Sequence, residues 1–93
     1  MVVRTAELRL YAPWVHSLKE KRMVVKSLLA KTRARFGISA AEVDAQDVHQ
    51  TIVLGLACVS DSLLNASEII DGAVRFIGAN TEAEVTDVLL ETR

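Results

Sequence analysis

Apolar and polar positions alternate from Val2 to Tyr11, with Ala6, Leu8 and Leu10 on one side and Thr5, Glu7, Arg9 and Tyr11 on the other. That period of two predicts a half-buried strand. Ala12-Pro13-Trp14 breaks it, and the period then becomes helical. Ser17 followed by Glu20 has the form of a capping box, in which the serine oxygen takes a free amide and the glutamate reaches back to the cap amide. From there to Arg35, at about 100° per residue, Leu18, Val25, Leu29, Thr32 and Phe36 form one stripe with Leu28 beside it. Gly37 ends the helix, because a left-handed residue closes a helix C-terminus without steric penalty when it lacks Cβ.

Ile38 to Ala45 predicts a weaker strand, with Ala41 and Val43 set against Glu42 and Asp44. Gln46 to Gln50 is polar and turn-like. TIVLGLACVS, Thr51 to Ser60, is apolar on both faces, as a central strand is. A second helix is predicted from Ser62 to Ile77, burying Leu63, Ala66, Ile70, Ala73, Val74 and Ile77, and closed by Gly78 and Asn80. Glu84 to Leu90 is the last strand. The order β-α-β-β-α-β in one domain, residues 1–93, predicts a ferredoxin-like α+β sandwich: a four-stranded antiparallel sheet with two helices on one face. Right-handed crossovers put the first and third strands at its centre.

Charge adds what the hydrophobic pattern does not show. The formal net charge is −1, yet Ser17 to Phe36 holds Lys19, Lys21, Arg22, Lys26, Lys31, Arg33 and Arg35 against the single acid Glu20. The rest of the chain holds four arginines against eleven acids. This is an acidic body carrying one basic helix, not a polycation. The sequence has no apolar run of about eighteen residues, so no membrane span is expected, and no secretory signal pattern. With one cysteine, Cys58, a cytoplasmic protein is expected.

Three stretches carry a resemblance: HSLKEKR (16–22) after the first strand, AEVDAQD (41–47) before the hairpin, and LGLACVS (54–60) in the third strand. Together they resemble the YlxP-like family of small bacterial proteins of unknown function. The resemblance implies a ferredoxin-like fold. It also implies a setting near RNA or the ribosome, since members are often encoded beside transcription-termination, translation-initiation and ribosome-maturation genes. In the hairpin, where such proteins carry a bulky aromatic and a basic residue, this chain has His49 and Thr51.

Lys19, Lys21, Arg22, Lys26, Arg33 and Arg35 are the candidate phosphate contacts to structured RNA. Lys19, Arg22, Lys26 and Arg33 fall within about 60° of one another on the helix. Bases crowd the positive pole of this helix, where its dipole favours acids, which points to an anionic partner. Base stacking on the sheet is not expected, because Tyr11 is the sole ring on the outer face of the two central strands. Val53, Ala57 and Val59 instead offer an apolar stripe there, the candidate interface of a homodimer. No phosphate loop, nucleophile–base pair or metal-ligand spacing is present, so neither a cofactor nor a metal is expected and a non-enzymatic accessory role is favoured. The alternative is a dimeric module or small pathway enzyme holding an anionic metabolite near Trp14, His16 and His49, and a protein-binding adaptor is a third reading.

Overall fold

A computed structural model describes residues 1–93. The elements are β1 (Val2–Tyr11), α1 (Leu18–Phe36), β2 (Ser39–Asp44), β3 (Thr51–Ser60), α2 (Leu63–Ala79) and β4 (Glu84–Thr92). The sheet is antiparallel throughout, ordered β2-β3-β1-β4, and this is the ferredoxin-like arrangement with β1 and β3 central. Ala6, Leu8 and Leu10 of β1 and Ile52, Leu54, Leu56 and Cys58 of β3 face the helices. They meet Val25, Leu28 and Leu29 of α1 and Ala66, Ile70, Ala73 and Ile77 of α2 in one core. No helix is long and apolar enough to cross a membrane.

The helix ends follow their chemistry. Ser17 Oγ accepts the Glu20 amide at 3.1 Å, while no bond returns from the Glu20 carboxylate, so half of the expected capping box forms. Gly37 adopts φ 63° and donates its amide to Arg33 O. Ser62 caps α2 through the Asn65 amide at 3.2 Å. The two helices approach closely near Gly72, where a Cβ would stand 3.2 Å from the Phe36 ring. Phe36 and Phe76 meet edge to face across that contact, centroids 5.5 Å apart.

Four sequence expectations are corrected. In β2 it is Ala40 and Glu42 that turn toward the helices, opposite Leu56 and Leu54, while Ala41 faces the open side opposite Gly55. A bulge between Glu42 and Asp44 releases Val43 to lie over Gly55, where an added Cβ would come within 2.8 Å of its Cγ1. The polar Glu42 points inward because its counter-charge, Lys21, is there at 2.9 Å. In α2, Gly78 lies within the helix, which runs on to Ala79 with Asn80 as its cap, and Leu63 at the first turn is 50% exposed. Finally β4 is longer than its apolar core, reaching Thr92 through paired backbone.

Candidate nucleic-acid interface and open sheet face

The basic helix divides into three kinds of side chain. Lys21 is 1% exposed. Its Nζ donates to Ala45 O at 2.5 Å and Val48 O at 2.7 Å, and pairs with Glu42 Oε2 at 2.9 Å. An ammonium has three protons, so all are spent, and the Glu42 oxygen has no other counterpart. Lys21 is thus no phosphate contact, contrary to the sequence expectation. It pins the β2–β3 hairpin to α1. The wheel carried the signal: Lys21 falls between Leu28 and Thr32, about 20° from each, in the middle of the buried face.

Arg33 and Arg35 are exposed but oriented. Arg33 Nε donates to Ala40 O at 3.0 Å and Nη2 reaches the same oxygen, covering a carbonyl on the edge strand β2. Arg35 lies against Phe36 and Phe76, 5.9 and 5.4 Å from their ring centroids. Lys19, Arg22 and Lys26 are exposed and make no ion pair, since the two ion pairs in the chain are Lys21–Glu42 and Glu91–Arg93. With Arg33 they form one ridge along the flank of α1 that faces β2, about 21 Å from end to end. Lys31 stands on the other flank, in a cleft of about 180 Å³ beside Trp14 and Asn80.

Trp14, His16 and His49 do not assemble. Trp14 packs against the core and lines that small cleft. His16 and His49 are exposed on loops held together by Ala12 N to Gln50 O and Gln50 Nε2 to Pro13 O, and neither lines a principal cleft.

The largest hollow lies on the open face of the sheet, a trough of about 750 Å³. Small residues floor it: Ser39, Ala41, Gly55, Ala57 and Thr5, with Leu89 and Glu91 along the β4 side. The candidate interface residues fare differently here. Val59 is 65% exposed and Ala57 half-buried, but Val53 is fully buried between Arg9 and Asp44 in the register and is removed from the expected contact surface. The hollow arises from the pairing of small residues on three adjacent strands, which register alone reveals.

Residues 3–90 match the model of a family described as a protein of unknown function, DUF503. The chain is 36% identical over 70 residues to the uncharacterized protein YlxP of Bacillus subtilis (strain 168), a match covering 75% of this chain and 76% of that one. Among solved structures it is similar to the de novo designed protein Ferredog-Diesel, at 13% identity and TM-score 0.47 over 98% of this chain and 84% of the other.

Proposed function

The chain belongs to the DUF503 family of unknown function, and from that premise we propose that it is a cytoplasmic, non-enzymatic accessory protein that binds structured RNA, alone or in a ribonucleoprotein, through the exposed ridge of α1. One observation supports this reading above others. Lys19, Arg22 and Lys26 stand in a row with no intramolecular acid, in a chain that carries more acids than bases. A basic ridge kept clear of the protein's own carboxylates is free to meet phosphates. Arg33, fixed on Ala40 O, retains outward guanidinium protons that extend the ridge. Lys21 supplies no contact and Arg35, committed to two aromatic rings, supplies little.

Such contacts are electrostatic and indifferent to base identity. Each contributes roughly 0.7–0.9 to the slope of log affinity against log salt, so three or four predict a slope of about −2 to −3.6. Titration of labelled ribosomal RNA fragments at several salt concentrations measures it. Lys19→Glu with Arg22→Glu should abolish binding, with melting temperature unchanged or slightly higher, since acids suit the first turn of a helix. Lys31→Glu, on the far flank, should weaken binding much less. No binding by the wild type at low salt, or equal binding by the double reversal, would refute the RNA reading.

A further inference from the structure

The helices cover one face of the sheet and leave the other bare. On that face the register sets side chains in rows: Ala41–Gly55–Glu7–Leu89, and next to it Asp44–Val53–Arg9–Asp87. Glu7 and Arg9 are therefore neighbours on the same side of the central strand, both exposed, and neither has an ionic partner. Their surroundings explain why. Across the adjoining strands Glu7 meets Gly55 and Leu89, which offer no base, and it forms no ion pair with Arg9 two residues along its own strand. Arg9 has Asp87 across the strand pair, but Asp87 turns to take its own Val88 amide at 3.0 Å.

We propose that this open face is the interface of a symmetric dimer whose two-fold axis crosses β1 between Glu7 and Arg9. The reading goes beyond the RNA-binding one and stands apart from it. About that axis Glu7 meets the partner's Arg9, and Arg9 meets the partner's Glu7. Two opposite charges set two residues apart on one strand are self-complementary under a two-fold operation, as an isologous contact requires. The same operation carries the partner's Tyr11 over the row of Thr5 and Ala57, where the trough is hollow. Tyr11 is large and exposed at the end of β1, so the ring fills space that the small floor residues leave.

The dimensions fit a reversible dimer. Four strands about 4.8 Å apart, of 10, 6, 10 and 9 residues, present roughly 550 Å² per protomer, about 1,100 Å² in total, just under the range of stable specific interfaces. Lys19, Arg22 and Lys26 of each α1 ridge lie outside the contact in such a pair, while Arg33 stands at the rim of the trough.

Charge reversal and restoration test the proposal by sedimentation across a wide concentration range. Wild type should dimerise. Glu7→Arg and Arg9→Glu should each weaken the dimer about tenfold or more, because like charges then face each other across the axis. The double variant Glu7→Arg/Arg9→Glu should restore it, since the pairs re-form with signs exchanged. Ala57→Arg, placed in the trough, should give a monomer with unchanged circular dichroism. A wild type that stays monomeric, a dimer indifferent to the single reversals, or a double variant no stronger than the singles would overturn the proposal. RNA binding by wild type and by Lys19→Glu/Arg22→Glu, measured in parallel, fails or succeeds independently of these results.

Discussion

A lysine buried beneath a hairpin holds the chain in place only while all its ammonium protons have acceptors. Lys21 has three, two of them backbone carbonyls of the loop, and one of these belongs to Ala45. Ala45 adopts φ 54°, a conformation L-residues avoid, and its amide is held by Asp44 Oδ1 at 2.7 Å. The left-handed turn aims its carbonyl at the ammonium, so the ion pair and the strained residue support each other. Lys21→Ala leaves Glu42, whose side chain is 16% exposed, without its counter-charge. The expected loss is about 3 kcal/mol by denaturant unfolding, with faster amide exchange in residues 45–50. Ala45→Gly relieves the left-handed strain while keeping the carbonyl in place, and should raise stability by up to about 1 kcal/mol. A fall in stability would show that the turn is not strained.

At the scale of elements, α1 performs two tasks with one composition. Its buried face binds the core and the hairpin, and its flank toward β2 carries the ridge. Arg33 links the two, because it covers a carbonyl of a six-residue edge strand that would otherwise be open to pairing with another chain. Arg33→Met should cost about 1 kcal/mol and speed exchange at amides of β2. Arg35→Met removes a cation–π contact worth about 0.5–1 kcal/mol and should leave β2 exchange unchanged. The two variants also differ toward RNA. Loss of Arg33 should lower the salt slope by nearly one contact, and loss of Arg35 should barely alter it. Equal effects would mean that the ridge extends around both flanks.

For the whole molecule, the two layers separate the proposed tasks. The helix layer carries the basic ridge, and the bare sheet carries the trough and the unpaired Glu7 and Arg9. A sheet-to-sheet dimer presents two ridges on opposite surfaces. An RNA long and folded enough to reach both would bind the dimer more tightly than one ridge alone, with no new contact. At concentrations where Glu7→Arg leaves the protein monomeric, it should therefore keep its affinity for a short hairpin and lose affinity for a large RNA fragment. Equal loss on both would place the Glu7 charge itself in the RNA site.

The alternation in β1, the two-faced apolar run of β3, the Ser17 and Ser62 caps and Gly37 all state local rules of backbone and burial, and the chain obeys them at those residues. Element order and connection handedness then leave few topologies, which is why the ferredoxin-like sheet is legible in the sequence. What needed tertiary structure involved partners distant in sequence. The helical wheel places Lys21 on the buried face, but its partners there, Glu42 and two hairpin carbonyls, are brought to it only by the fold, and Glu42 reverses the expected facing of β2 for the same reason. Val53 is buried, and Gly55 is covered by Val43, through neighbours that only strand register brings beside them. Periodicity reports which side of an element is apolar. It does not report which charge will find its mate across the fold, because that depends on distances the chain acquires only when it has closed.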